Sequence, residues 1–235
     1  MEVIAHRGAS GTCPENTIPA FRRAAEVGAH MVELDVQLTR DGQPVVILDW
    51  TLNRTTSGRG SVRRRTLAEI ATLDAGSWFG ATFAGTRVPT LAEVFAAIPL
   101  RVNVELKARA NDGLERAVLE VVEGAGALRR VVFSSFEPAS LRRMRALSAA
   151  ADLAVLWAGR GVRRALAVAD SVHATSVHLR KGVATAAAIE SARAAGLGVR
   201  VWTVNAAADF ARLVAAGADA VFTDYPERFL QPVRT

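Results

Sequence analysis

The chain has 235 residues, of which 50% are hydrophobic and 22% are charged, and its net charge is +6. This composition supplies a large apolar core and, in the absence of any low-complexity run, excludes an intrinsically disordered protein. No apolar segment approaches the roughly 18 residues that a membrane-spanning helix needs, and the single cysteine excludes an internal disulfide. The N-terminus lacks a basic segment followed by an apolar one, so we expect a cytoplasmic protein without a signal peptide or membrane span.

Arginine supplies most of the positive charge, in short clusters such as Arg63-Arg64-Arg65 and Arg142-Arg143. Solvated helix faces and loops are the expected places for these clusters, and attraction to anionic substrates or lipid surfaces is the alternative. The arginines are scattered and no aromatic stacking motif lies among them. We therefore expect no nucleic-acid partner.

The chain begins with a β-α-β unit. Its predicted elements are a strand at Val3-Ile4-Ala5, a helix that Asn16 or Thr17 caps and Gly28 ends, and a strand from Met31 to Val36. A turn at Asp41-Gly42 then leads to a second strand from Pro44 to Asp49. Residues from about 51 to 90 are predicted to form loops with one short helix from Thr66 to Leu73. We interpret this whole region as an insertion.

Strand and helix patterns alternate from Thr90, which caps a helix, to the last predicted helix at Pro226. Strands are predicted to begin near residues 3, 31, 101, 131, 153, 173, 199 and 220, with helices between them. Eight β-α repeats predict a (β/α)₈ TIM barrel, a single domain over residues 1–235 with a small insertion after the second barrel strand. A doubly wound open sheet is the alternative, but no Gly-rich phosphate loop follows the first strand.

The strand from Met31 to Val36 alternates apolar and acidic residues. Because successive side chains of a strand point to opposite faces, Glu33 and Asp35 share one face. Two carboxylates on a buried strand are costly unless something compensates their charge. Mg²⁺ and Ca²⁺ both prefer oxygen ligands, so the spacing indicates a divalent cation site and favours the two ions equally.

In a TIM barrel the chemistry lies at the C-terminal ends of the strands. The polar and aromatic residues predicted there are His6, Arg7, Glu33, Asp35, Glu105, Lys107, Ser134, Ser135, Trp157, His178, Trp202, Asn205, Thr223 and Asp224. Carboxylates and basic side chains that meet at the same end of the barrel favour metal-assisted chemistry on a phosphate. A structural ion pair between Lys107 and Glu33 or Asp35 is the alternative.

Short motifs from near the first residue to near the last match one known family in its order. They are His6-Arg7-Gly8, Pro14-Glu15-Asn16-Thr17, Glu33-Leu34-Asp35-Val36, Thr39-x-Asp41-Gly42, Leu52-x-Arg54-Thr55-Thr56, Val104-Glu105-Leu106-Lys107, Val201-Trp202-Thr203-Val204-Asn205 and Thr223-Asp224-Tyr225-Pro226. On these motifs the chain resembles the glycerophosphodiester phosphodiesterases. The resemblance implies a TIM barrel that hydrolyses glycerophosphodiesters to an alcohol and glycerol 3-phosphate with a divalent cation.

The resemblance also implies a role for each matching residue. Glu33, Asp35 and Glu105 would bind Mg²⁺ or Ca²⁺. Arg7 and Lys107 would contact the phosphate, and Glu15 would support Arg7 or the substrate's glycerol. His6 would be one half of the general acid/base pair, and Trp202 would line the substrate pocket.

One position departs from the family's pattern. Where the family carries a His-Asp pair after the Asp-Gly turn, this chain has Leu48-Asp49, followed by Trp50. Leucine transfers no proton, and general acid or base catalysis typically contributes about 10² to 10⁴-fold. We therefore expect impaired turnover unless another residue compensates, and His178 is the best substitute because it is expected near the C-terminal end of its strand.

Three hypotheses remain open at the level of sequence. The chain is a working phosphodiesterase, a catalytically impaired homologue that binds a metal and a phosphate, or a phosphodiesterase for another substrate such as a lysophospholipid. An apolar rim formed by Trp78, Phe79 and Phe83 around the site would favour the last hypothesis. The head group, the identity of the metal and the oligomeric state stay open.

Overall fold

Eight parallel strands close into a barrel, with helices around it, in a computed structural model that describes residues 1–108 and 111–230. The strands are β1 (Glu2–Ala5), β2 (Met31–Leu38), β3 (Pro44–Val46), β4 (Arg101–Leu106), β5 (Val131–Ser135), β6 (Asp152–Trp157), β7 (Ser176–Arg180), β8 (Gly198–Trp202) and β9 (Ala220–Thr223). The helices are α1 (Ile18–Glu26), α2 (Leu67–Ile70), α3 (Leu91–Ala97), α4 (Leu114–Gly124), α5 (Pro138–Leu147), α6 (Arg163–Ser171), α7 (Ala186–Ala194) and α8 (Ala207–Ala215).

The barrel closes because β1 pairs with β2 on one side and with β9 on the other, both in parallel. Around the ring the order is β1-β9-β8-β7-β6-β5-β4-β2, and β3 lies outside it, antiparallel to β2. This arrangement confirms the predicted TIM barrel. None of the helices among the described residues is long and apolar enough to cross a membrane.

Every residue of β2 is buried, because helices cover one face of the strand and the barrel interior covers the other. Leu34 and Val36 belong to the large core between strands and helices. Side chains alternate along a strand, so Glu33, Asp35 and Gln37 point into the barrel. A smaller apolar cluster, which includes Ile4, Met31, Val132, Ala154, Ala220 and Phe222, fills the interior.

The segment between β3 and α3 contains 3₁₀ turns at Val62–Arg64 and Ala81–Phe83 and the short helix α2. It has its own small core, formed by Val45, Ile47, Leu52, Val62, Ile70, Ala75 and Val88. A few buried side chains therefore attach this segment to the strand that precedes it. Thr66 and Thr90 cap α2 and α3 as predicted, each in a capping box with the glutamate three residues later.

Several predicted boundaries are wrong. The strand that starts at Pro44 ends at Val46 rather than Asp49, α2 ends at Ile70, and a 3₁₀ turn rather than an α-helix follows Pro226. Thr17 occupies the N-cap position of α1, but its hydroxyl donates to the carbonyl of Pro14 and gives no cap.

Candidate active site

The C-terminal ends of the barrel strands surround a pocket of about 140 Å³. Its polar wall comes from the adjacent strands β1, β2 and β4 and consists of His6, Arg7, Glu33, Asn103, Glu105 and Lys107. Its apolar wall consists of Phe136, Leu156, Trp202 and Phe222, which lie in or directly after the strands β5, β6, β8 and β9, together with Leu48 from the segment after β3. The pocket thus has an ionic half and an apolar half.

The structure brings together the three carboxylates that the sequence predicts as metal ligands. One oxygen from each of Glu33, Asp35 and Glu105 lies within 4.8 Å of the other two. Asp35 and Glu105 are partners in the β2–β4 register, which explains how residues 70 positions apart in the chain meet. Glu33 is 4% exposed and Asp35 is 1% exposed, while the Glu105 side chain is 13% exposed.

The protein compensates the negative charge of this cluster only in part. Burial, with the charges of Asp35 and Glu105, raises the pKa of the Glu33 carboxyl well above its usual value. Burial, with the charge of Asp35, raises the pKa of Glu105 to about 7. Oxygen Oδ1 of Asp35 is buried and accepts no hydrogen bond from the described residues. A hard cation fits this donor set, because it would neutralise the carboxylates and coordinate the unpartnered oxygen.

Two groups that the sequence analysis did not assign hold these carboxylates in place. The amide of Asn16 donates to Oδ2 of Asp35 at 2.9 Å, and its oxygen accepts from the backbone N–H of Asp35 at 3.3 Å. The backbone N–H of Arg7 donates to Oε2 of Glu33 at 2.9 Å. Asn16 therefore supports a carboxylate of the site instead of capping α1 as predicted.

Both basic residues predicted to contact phosphate lie beside the carboxylates. The ammonium of Lys107 donates to Oε1 of Glu105 at 3.1 Å and lies 4.0 Å from Oδ1 of Asp35. Burial by itself lowers the pKa of Lys107, but the charges of Glu105 and Asp35 outweigh it and raise the pKa above the usual value. Nε of Arg7 lies 3.3 Å from Oδ2 of Asp35, and Nη1 donates to Glu15 at 3.3 Å. Of the two ion pairs in the alternative interpretation, that between Lys107 and Asp35 is thus present, and Lys107 and Arg7 also line the pocket.

His6 is oriented by an aspartate at the end of β9. Its Nδ1 lies 2.7 Å from Oδ1 of Asp224, and because a carboxylate only accepts, Nδ1 is protonated and donates this hydrogen bond. Asn205 and Ser10 also donate to Asp224, at 2.6 and 3.1 Å. Burial alone raises the pKa of Asp224, but hydrogen bonds, first that from His6, outweigh it and lower the pKa to about 2. Nε2 of His6 lies 4.0 Å from Oε2 of Glu33.

Leu48, at the position where the resemblance implies a histidine, lies in the pocket wall and is partly exposed. The buried amide of Gln37 holds the backbone on both sides of it. Nε2 of Gln37 lies 2.9, 3.1 and 2.7 Å from the carbonyl oxygens of Ile47, Leu48 and Asp49. These bonds bend the chain away from β2, so the strand that begins at Pro44 ends before Leu48.

Trp202 lines the pocket as predicted, and its indole is fixed by a bond from Nε1 to the carbonyl of His178 at 3.0 Å. Phe136 packs edge-to-face against it, with 5.6 Å between the ring centroids, and is 41% exposed. Trp78, Phe79 and Phe83, by contrast, pack edge-to-face with one another and do not line the pocket. The apolar wall therefore comes from the barrel and not from the predicted rim.

The expectation that His178 reaches the mouth of the barrel is wrong. His178 is the third of five residues in β7, fully buried, and it does not line the pocket. Its Nε2 accepts a bond from Arg200 at 3.2 Å. Burial, together with the charge of Arg200, lowers the pKa of His178 well below its usual value, so the ring stays neutral. The side chain lies in the barrel interior, too deep to replace a residue at position 48.

A barrel with this site belongs with the metal-assisted phosphodiesterases, and similar proteins support that class. The barrel superposes on an Oleispira antarctica phosphodiesterase, solved in complex with the product sn-glycerol-3-phosphate, with a TM-score of 0.87 and 33% identity over 97% of this chain and 94% of that one. A structure of a putative glycerophosphoryl diester phosphodiesterase from Silicibacter pomeroyi gives a TM-score of 0.88 and 28% identity, covering 97% and 91%.

A glycerophosphodiester phosphodiesterase of Caldanaerobacter subterraneus subsp. tengcongensis is 40% identical over 237 residues, covering 99% of this chain and 97% of the relative. The family model described as "Glycerophosphoryl diester phosphodiesterase family" matches residues 6–228. The chain belongs to this family and is a phosphoric diester hydrolase, which confirms the resemblance found in the sequence.

Proposed function

We propose that the chain hydrolyses glycerophosphodiesters to an alcohol and glycerol 3-phosphate, with Mg²⁺ or Ca²⁺ held by Glu33, Asp35 and Glu105. The convergence of these carboxylates within 4.8 Å carries the proposal, because such a cluster is costly to bury without a cation. The match to the Oleispira phosphodiesterase, whose structure contains sn-glycerol-3-phosphate, supports the choice of product. When bound, the cation would withdraw charge from the phosphoryl oxygens and favour attack on phosphorus.

Arg7 and Lys107 would hold the remaining phosphoryl oxygens. Both cations line the pocket, and both keep a high pKa because carboxylates surround them. Of the described residues, none accepts a hydrogen bond from Nη2 of Arg7. That group is therefore available to a phosphate, which the planar guanidinium recognises through paired hydrogen bonds.

His6 would transfer the proton of the attacking water or hydroxyl. The bond to Asp224 keeps a proton on Nδ1 and leaves Nε2 able to accept one, and the carboxylate stabilises the imidazolium that results. Leu48 occupies the wall where a second proton-transfer group is missing. We propose that protonation of the leaving alcohol limits turnover, so the chain hydrolyses unactivated alcohol esters slowly.

Two observations favour neighbouring functions. Leu48 in the pocket wall favours a homologue that binds metal and phosphate but turns over poorly. The apolar half formed by Leu48, Phe136 and Trp202 favours substrates that carry an apolar group, such as the acyl chain of a lysophospholipid.

One assay set separates these functions. Release of choline, the alcohol that hydrolysis frees from both substrates, is measured for glycerophosphocholine and for lysophosphatidylcholine with Mg²⁺, with Ca²⁺ and with excess EDTA, alongside calorimetric titration of glycerol 3-phosphate. We expect cation-dependent release from glycerophosphocholine. Binding of glycerol 3-phosphate without release favours the binding protein, and faster release from lysophosphatidylcholine favours the lipid substrate. The absence of both binding and release would refute the proposal.

A further inference from the structure

Arg54 belongs to the segment between β3 and α3, and its guanidinium bonds to two acids near the mouth of the barrel. Nη1 and Nη2 donate to the two oxygens of Glu15 at 2.8 and 2.7 Å, and Nε donates to Asp49 at 2.6 Å. A planar guanidinium that binds both oxygens of a carboxylate fixes the plane as well as the position of that carboxylate. Arg54 itself does not line the pocket.

Glu15 links Arg54 to the site. Its Oε1 also accepts from Nη1 of Arg7 at 3.3 Å, while Nε of Arg7 lies 3.3 Å from Oδ2 of Asp35. The guanidinium of Arg7 is therefore held between two carboxylates, and its Nη2 donates no hydrogen bond to any of the described residues. A chain of ion pairs connects Arg54, through Glu15, to Arg7 in the pocket wall.

The geometry of Glu15 implies a competition for Arg7. Glu15 is mostly buried, with 13% of its side chain exposed, and it is ionised, because the bonds and charges of Arg54 and Arg7 outweigh the effect of burial and lower its pKa. If Arg54 were absent, both oxygens of Glu15 would be free to take the two Nη groups of Arg7. The carboxylate would then occupy the edge of the guanidinium that a phosphate needs.

We propose that Arg54 is a positioning residue that keeps Glu15 from capturing Arg7 and so preserves the phosphate-binding edge of Arg7. The inference rests on the proposed function, since it requires that Arg7 binds the phosphate of the substrate. It makes the segment between β3 and α3 part of the phosphate site, although none of that segment's basic groups touches the pocket.

Affinity for glycerol 3-phosphate in saturating Mg²⁺, measured by calorimetry, tests the inference. Arg54→Met is expected to weaken binding about tenfold, because small displacements of a binding group have large effects. Arg54→Lys is expected to weaken it by a similar factor, since an ammonium cannot bind both oxygens of Glu15 in the same plane. Arg65→Met is the matched control: Arg65 is 47% exposed against 45% for Arg54, lies in the same segment and pairs with Glu69.

A Glu15→Gln background separates a positioning role from a direct one. The glutamine amide carries no charge with which to capture Arg7, so Arg54→Met is expected to change affinity less than about twofold there. Binding by Arg54→Met within twofold of wild type, full affinity in Arg54→Lys, or a tenfold loss that persists in the Glu15→Gln background would each overturn the inference. If the wild-type chain neither binds glycerol 3-phosphate nor hydrolyses glycerophosphocholine with either cation, the proposed function fails and takes this inference with it. Hydrolysis without binding of glycerol 3-phosphate would overturn this inference alone.

Discussion

Replacing Leu48 by histidine should restore proton transfer to the leaving group. The backbone at position 48 is held by Gln37, whose amide nitrogen contacts three successive carbonyl oxygens, and by the hydrogen bond that Arg54 donates to Asp49. None of these contacts involves the side chain of Leu48, so a histidine would project from the same place into the same pocket. The position is partly exposed, which lets an imidazole gain and lose a proton.

The size of the effect depends on the leaving group. A general acid contributes about 10² to 10⁴-fold, which corresponds to about 3 to 5 kcal/mol of barrier. The full gain in kcat is expected when the leaving group is an alkoxide, as in the hydrolysis of glycerophosphocholine, because that anion is strongly basic. For an aryl ester that releases p-nitrophenolate, a stable anion, the gain is expected to stay below about tenfold.

The assay compares kcat of wild type, Leu48→His and Leu48→Asn on the two substrates at saturating Mg²⁺. Asparagine is the control, because it is polar and of similar size but transfers no proton near neutral pH. Equal activity of wild type and Leu48→His on glycerophosphocholine would refute the assignment of Leu48 as the defect. Equal gains in Leu48→Asn and Leu48→His would show that polarity, not protonation, is responsible.

Three further predictions concern the site and its support. Asp224→Asn should lower kcat about 10- to 100-fold with little change in affinity for glycerol 3-phosphate, because His6 loses the carboxylate that stabilises its imidazolium; unchanged kcat would refute this role. Mg²⁺ should raise the thermal midpoint of wild type but not of Asp35→Asn, because a ligand of the folded state stabilises it; equal shifts would place the cation elsewhere. The pKa of His178 is depressed in the folded state, so the neutral ring stabilises the fold above the unfolded pKa of about 6.5, and this contribution declines as the pH falls below it. Between pH 7.5 and 5.5, the free energy of unfolding measured by denaturation should therefore fall less in His178→Asn than in wild type.

The barrel and the direction of its inward side chains were predictable because both follow from local patterns. Alternation in β2 places Glu33 and Asp35 on the inner face, and the order of the β-α repeats brings β4 beside β2. The metal cluster then follows from two short motifs. The position of a residue along its strand was harder to predict. The pattern around His178 did not define where β7 begins and ends, so His178, in the middle of β7, was expected at the end of the strand.

The supports of the site were not predictable, because each joins distant parts of the chain or overrides a local rule. The partner of His6 is Asp224, 218 residues away, and no pattern near either residue indicates the pair. Asn16 precedes α1, where a local rule favours a helix cap, yet its amide binds Asp35. Gln37 interrupts a predicted strand through three contacts that only the folded chain creates.

The carboxylate cluster proposed to bind the cation and the position proposed for proton transfer lie on different parts of the fold. The carboxylates project from β2 and β4, two paired strands of the barrel, whereas residue 48 lies in a bend held by side chains. A change of side chain at position 48 should therefore alter proton transfer without altering the cation. We expect Leu48→His to bind Mg²⁺ with the affinity of wild type, measured by calorimetry, while its turnover rises. A parallel change in both quantities would show that Leu48 acts through the metal cluster, and the loss of a proton donor would no longer explain slow turnover.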